Sequence, residues 1–213
     1  MIIEIFQDTI CPWCRIGKKH LFDALHEWSG EPVSIRYRSY MLDPNTPEAG
    51  LPFRKAMLAV AGSPHALDRM LEHVTAAGAA SGLTFRFDRV DKKPNTLASH
   101  RLIKLAPEEK TGAVVDAIYQ AHFEDGLDIG ELDVLAKIAE QQGMDGNEVK
   151  ALIQSGAKQE EIEQDVEYAR QLQISGVPFF VIDSQLALSG AHPVETFLKA
   201  FRKVSSREKE QGI

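Results

Sequence analysis

Ile2-Ile3-Glu4-Ile5-Phe6-Gln7-Asp8-Thr9-Ile10-Cys11-Pro12-Trp13-Cys14 is the stretch that decides how this chain folds. Ile2 to Phe6 is β-like, with four apolar residues around one acid. Gln7 to Ile10 reads as a short loop. Pro12 then suits the first position of a helix, where a missing N–H costs nothing. Leu21, Leu25 and Trp28 repeat at helical spacing and Phe22 widens their stripe, until Ser29-Gly30-Glu31-Pro32 stops the helix. Val33 to Tyr40 alternates and reads as a second strand. A right-handed crossover makes the two strands parallel neighbours.

Beyond this unit the pattern changes. Asp43 to Pro52 is a proline-rich connection and marks a boundary. From there to about Gln173 the periodicity is helical, with segments at Phe53–Val60, Pro64–Ala80, Thr96–Leu105, Thr111–Phe123, Leu132–Gln142, Gly146–Ser155 and Ala157–Gln173. Phe85-Arg86-Phe87 reads as a short extended link. Ser175-Gly176-Val177-Pro178 then turns into an apolar strand, Phe179–Ile182. Asp183-Ser184-Gln185 is a tight turn, and Leu186–Leu188 completes a hairpin. Pro193 opens a last helix, and the polar run from Arg202 to Ile213 is expected to fray. The ends thus form one domain, residues 1–42 and 174–213, and residues 43–173 form an all-helical domain inserted between them. The fold class is α/β, a central mixed sheet with flanking helices.

The 213 residues carry a net charge of −7, with the basic residues scattered, which points away from nucleic acid and anionic membranes. No apolar run approaches the roughly 20 residues of a membrane span. The first residues contain an acid and run straight into the cysteine motif, unlike a secretory leader. These features read as a cytoplasmic protein, where a disulfide is more often catalytic than structural.

Cys11 and Cys14 are the chain's two cysteines. At three positions' separation they cannot staple distant parts of a fold, but the second sulfur can reach a mixed disulfide on the first. Cys11 lies at the helix start, where free N–H groups and the helix dipole favour a thiolate, so it reads as the nucleophile. Cys14, one turn in and more buried, reads as the resolving thiol. Half a zinc site is the competing reading. Zinc needs three or four ligands, however, and there is no second CxxC or HxxxH, His20 being the nearest imidazole; no metal or cofactor is expected. Pro178 stands directly before a strand, where a cis Val177–Pro178 bond would explain it, leaving the Val177 backbone free to pair with an extended substrate. Pro12 and Trp13 complete the expected substrate-binding set, Trp13 as an apolar platform or a partly exposed cover. Arg15, Lys18 and Lys19 read as a solvated face, the alternative being that their charge further stabilises the thiolate. Glu4 is either a buried proton acceptor for Cys14 or an exposed edge residue. Asn95-Thr96 reads as a helix cap with His100 and Arg101 on the next turn. Asp125 to Gly130 fails the spacing of a calcium loop and reads as a turn.

A CPWC tetrapeptide after a strand, with Gly-Val-Pro-Phe-Phe at 176–180, resembles the thioredoxin superfamily. The long helical insertion is similar to its DsbA-like group. Asn95 to Arg101 and Ser189-Gly190-Ala191-His192-Pro193 resemble the FrnE-type branch. The resemblance covers essentially the whole chain. It implies a thioredoxin fold, a thiol–disulfide oxidoreductase with Cys11 and Cys14 in the redox roles, and Pro178 as the cis-proline. Implied partners are disulfide- or thiol-containing proteins, with glutathione or another low-molecular-weight thiol as a further candidate, acting on a monomer or homodimer. Two alternatives stand beside this: a glutathione-dependent transferase or isomerase of the related kappa-like group, which has Ser at the nucleophile position, and a redox-sensing adaptor without turnover.

Overall fold

The structure, a computed structural model, describes the backbone of residues 1–210 and side chains through Ser206. Strand β1 (Ile2–Gln7) leads into helix α1 (Pro12–Glu27), which returns the chain to β2 (Ser34–Ser39). β1 and β2 are parallel, with Ile3 opposite Ile35 and Ile5 opposite Tyr37. Near the C-terminus, β5 (Phe179–Ile182) and β6 (Leu186–Ser189) form the hairpin, joined at Asp183 and Ser184, both in the left-handed region. β5 pairs antiparallel with β1, giving the order β2-β1-β5-β6. The sheet is therefore mixed, and β1, first in the chain, lies inside it.

Alternation along β1 separates two cores. Ile3 and Ile5 face α1, together with Phe180, Ile182 and helix α9 (Val194–Glu210), where Phe197 meets Phe180 edge-on at 4.9 Å. Phe6 faces the other way, with Val181, Ala169 and Ile174.

Between the two ends run α2 (Phe53–Ala61), α3 (Pro64–Ala80), α4 (Leu97–Leu105), α5 (Glu108–Phe123), α6 (Leu132–Gln141), α7 (Gly146–Gln154) and α8 (Gln159–Gln171). These match the helical periodicity to within a few residues at each end. The block is not wholly helical, however. Leu51–Pro52 (β3) and Lys92–Lys93 (β4) form a two-stranded ribbon, and the Phe53 N–H donates to the Asp91 carbonyl at 2.8 Å. Pro52 disfavours a helical Leu51, which keeps this entry extended. Phe85-Arg86-Phe87 is an irregular aromatic link rather than a strand, its rings packed on Phe53 and Phe123. Apolar contact is continuous between block and sheet: Val115, Tyr119 and Ile138 belong to the same buried cluster as Ile3 and Cys14.

The expected fraying after Arg202 does not occur in the described part of the tail. Helix α9 continues to Glu210, because Phe201 and Val204 are fully buried and Ser205 Oγ donates to Glu31 at 3.0 Å. The last positions of that stretch, 211–213, lie outside the described residues. Among the described residues no helix is long and apolar enough to cross a membrane.

Candidate active site

Cys11 is the N-cap residue of α1, extended at φ −92° and ψ 109°, and Pro12 follows at the first helical position. The cysteines sit on one turn, the Cys14 N–H donating to the Cys11 carbonyl at 3.1 Å. Both are free thiols. Burial pushes the Cys14 thiol well above its usual range, and the neighbouring Cys11 sulfur adds to this. Cys11 is 4% exposed and Cys14 1%, so the first is the one that opens outward.

The Val177–Pro178 peptide is cis, and the loop crosses the top of α1. The Cys11 thiol donates to the Val177 carbonyl at 3.5 Å. Gly17 lets this loop come close, since a Cβ there would lie 2.9 Å from Pro178 Cγ. Residues 166 positions apart thus share one mouth. It opens into an apolar groove of about 540 Å³, bounded by Cys11, Pro12, Trp13 and Val177 on one side and by Phe53, Met57, Met70 and Phe87 on the other. Trp13 is half-buried and packs on His73, ring centroids 5.4 Å apart. The charged pair on the rim, Lys93 and Asp43, satisfies itself.

The surroundings of the motif correct two expectations and refine a third. Arg15 and Lys18 are not a solvated face. Arg15 is ion-paired with Glu124 and donates to the Thr84 carbonyl at 2.8 Å, while buried Lys18 meets Asp116 at 2.6 Å and lies over the Phe22 ring. Their long stems fill the seam between α1 and α5, and carboxylates meet the charges at its rim. Only Lys19 keeps a local, open pair, with Asp23. Glu4 is neither an edge residue nor a partner of Cys14. It lies on the opposite face of the central strand, held by Arg38 Nε at 2.8 Å and Tyr168 at 3.3 Å. At the start of α4 it is Asn95, not Thr96, that caps, accepting from the Leu97 N–H at 2.9 Å while donating to the Thr46 carbonyl.

Other residues at the site gave no signal in the sequence. Asp8 is fully buried beneath Cys11, its Oδ2 accepting the Leu42 N–H at 2.7 Å. Tyr119 donates to Gln7 Oε1 at 2.6 Å, and burial holds its phenol well above its ordinary range. His122 lines the groove, and burial lowers its imidazole to about 4. His100 was singled out only as part of a cap, yet its ring is fully buried with Nε2 3.5 Å from Asp8 Oδ1. Tyr119, His122 and His100 could not be linked to Cys11 by spacing, Tyr119 being 112 positions from Gln7, whereas Asp8 is three residues from Cys11 and it is its burial that local pattern does not show. His20, the imidazole nearest the motif in sequence, points away to the His192 carbonyl and Ser81. Among the described residues, no group of three or more His, Cys, Asp or Glu side chains gathers as a metal site.

A vicinal thiol pair at a helix start, on a four-stranded mixed sheet with helices on its faces, defines the thioredoxin class of fold. Residues 2–202 match the DSBA-like thioredoxin domain, and the chain belongs to that family of thiol–disulfide oxidoreductases. A probable DsbA oxidoreductase from Streptomyces coelicolor superposes with a TM-score of 0.90 at 32% identity, over 97% of this chain and 90% of that one. The cytosolic disulfide reductase DsbM from Pseudomonas aeruginosa, solved with GSH, shares the fold with a TM-score of 0.65 at 18% identity, over 97% and 100% of the two chains. The uncharacterized protein YwbO of Bacillus subtilis is 24% identical over 98% of both chains.

Proposed function

We propose that this chain exchanges disulfides through Cys11 and Cys14, with Pro12, Trp13, Val177 and Pro178 holding the substrate. The Cys11 thiolate attacks a substrate disulfide, forming a mixed disulfide and releasing one substrate thiol. Cys14 then attacks the Cys11 sulfur, closing the Cys11–Cys14 disulfide and releasing the second thiol. Run backwards, the same steps pass a disulfide to a dithiol, and the sign of the potential difference selects the direction. The unequal burial of the two sulfurs, with Cys11 facing the groove, is the observation that carries this reading. The free N–H groups at the start of α1 support the negative sulfur. The backbone beside Val177 offers an extended substrate a strand-like partner, and the apolar groove suits side chains next to its cysteine.

Protein disulfides are the proposed main substrates, with a low-molecular-weight thiol such as glutathione as the second partner, in line with the GSH held by the DsbM structure. We place the activity in the cytoplasm and the chain in the FrnE-type branch, with 1–42 and 174–213 as the redox domain and 43–173 as the insertion. The test is insulin reduction and dithiol oxidation, with the pair's potential set against glutathione. Cys11→Ser abolishes both activities, and Cys14→Ser accumulates a mixed disulfide. Full turnover by Cys11→Ser refutes the assignment. Glutathione conjugation of an electrophile that survives Cys14→Ser points instead to a transferase.

A further inference from the structure

The lining of the groove beside Cys11 selects what can enter it. Phe53 and Phe87 stack along its wall with ring centroids 6.0 Å apart, and Phe123 meets Phe87 edge-on at 6.0 Å. Met57 from α2 and Met70 from α3 line it as well. Rings pair at centroid spacings of about 4.5–7 Å and thioethers pack well on ring edges, so this wall favours a further aromatic ring. Lys93 and Asp43 at the rim are paired with each other. Cys11 aside, a charged side chain therefore finds no free counter-charge on the wall and loses its hydration there.

One polar group interrupts this apolar lining. His122, in the last turn of α5, is 2% exposed, and its Nδ1 has no hydrogen-bond partner. The imidazole packs edge-on against Phe123, centroids 4.7 Å apart. A buried polar atom without a partner costs free energy and calls for a reason. Burial lowers this imidazole to about 4, so at neutral pH it is uncharged, with one donor and one acceptor nitrogen. A hydroxyl suits either nitrogen, because it both donates and accepts. An aromatic ring with a hydroxyl is a phenol, and among protein side chains it is tyrosine. The groove begins at Cys11 and Val177, where an extended substrate pairs with the loop backbone. Side chains alternate along an extended strand, so the residue two positions from the substrate's cysteine points to the same side as that cysteine.

We propose that the groove is a specificity pocket for a tyrosine two positions from the reacting cysteine of an extended protein substrate, its hydroxyl hydrogen-bonded to His122. The substrate sulfur meets Cys11 while the tyrosine ring lies among Phe53, Phe87 and Phe123. Phenylalanine at that position fills the same space but leaves the imidazole without its partner. A tyrosine next to the cysteine points to the other side of the strand and misses the groove. The inference rests on the exchange reading above and deepens it by naming the sequence around the cysteine that the site prefers.

End-blocked peptides test this on the reduced full-length protein. Tyr-Gly-Cys-Gly-Tyr is compared with Phe-Gly-Cys-Gly-Phe, each carrying its cysteine as a thiopyridyl disulfide. The Cys11 thiolate attacks the peptide sulfur, the sulfur–sulfur bond breaks, and pyridinethiolate leaves as a coloured thione. At low concentration the tyrosine peptide reacts about tenfold faster, through a lower half-saturating concentration rather than a higher limiting rate. In His122→Phe the tyrosine peptide slows until the two agree within about twofold. Gly-Tyr-Cys-Tyr-Gly shows no such preference over Gly-Phe-Cys-Phe-Gly in the unaltered protein. A ratio near one in the unaltered protein, a ratio that survives His122→Phe, equal slowing of both peptides in that variant, or the same preference with adjacent tyrosines overturns the proposal. So does a larger hydroxyl preference between bis(para-hydroxyphenyl) and bis(para-methylphenyl) disulfides, which assigns the groove to small molecules. If His122→Phe fails to fold, the ratio and its dependence on position in the unaltered protein decide the matter. Ellman's reagent tests the exchange reading separately. Its first release of coloured thiolate reports attack by Cys11, and absence of that release in the unaltered protein refutes the exchange reading rather than this one.

Discussion

Gly17→Ala makes a demanding test of how α1 and the Val177–Pro178 loop fit. Gly17 is inside α1, and on a free helix the change to alanine stabilises by about 1 kcal/mol. Here the new Cβ would sit 2.9 Å from Pro178 Cγ, 3.1 Å from Phe180 Cζ and 3.4 Å from the Ala191 backbone. Favourable carbon contacts lie at about 3.5–4.0 Å, so all three distances fall short, that to the Ala191 backbone only marginally, and Pro178 and Phe180 must retreat. Phe180 cannot, being fully buried and locked edge-on against Phe197. The strain therefore falls on the Pro178 loop and on the seating of α1. Overpacking of this kind costs about 1–3 kcal/mol, which outweighs the helical gain and leaves a net loss of about 1 kcal/mol. For a chain of this size that lowers Tm by about 3 °C. A displaced loop also moves the Val177 carbonyl from Cys11, so attack on Ellman's reagent slows along with the loss of stability. Urea unfolding at a constant m-value and the first thiolate release measure the two effects. If Gly17→Ala gains about 1 kcal/mol, as an unobstructed helix would, the packing argument fails.

Three further outcomes follow from two buried side chains and one tight turn. His122 has its folded-state value lowered to about 4 from 6.5, so the unfolded chain binds a proton the folded chain refuses; the associated stability, about 3 kcal/mol, is complete above pH 6.5 and is lost as pH falls towards 4. Urea titrations at pH values across that window should show this share of the decline vanish in His122→Phe. Asp165 is buried and accepts from Arg38 Nη1 at 2.9 Å and the Ser39 N–H at 2.8 Å, with Lys104 at 2.5 Å; Asp165→Asn costs about 2–3 kcal/mol, because both cations keep other partners and some solvent, while thiol exchange per folded molecule is unchanged. Gly126 has φ +71°, and a Cβ there would lie 2.2 Å from the Arg89 carbonyl; Gly126→Ala costs at least about 2 kcal/mol, and an unaltered Tm refutes the strain.

Local chemistry made much of this molecule legible from its residues. The strand-CxxC-helix-strand order, the C-terminal hairpin and the helical periodicity rest on spacing of two or 3.6 residues and on punctuation by Pro and Gly, and all of these act between near neighbours. Ile3 and Ile5 had to share a face, and Pro12 had to begin a helix, whatever lay elsewhere. The same locality explains the misreadings. Arg15 and Lys18 look like any charged helix face until α5 closes over them, and the tail after Arg202 looks disposed to fray until Phe201 and Val204 find the core. Leu51–Pro52 and Lys92–Lys93 are too short to announce a ribbon.

The site divides along the same line. The amino-acid sequence by itself determined which two sulfurs lie together and which of them stands at the helix start, because a three-residue separation on one turn leaves no other arrangement. Only the tertiary structure decided what surrounds them. Val177 reaches Cys11 from 166 positions away, Tyr119 is bound to Gln7 from 112, and Asp8 faces His100 across the seam between loop and helical block. Those meetings depend on which faces are buried together, and burial is a property of the assembled chain rather than of any segment within it.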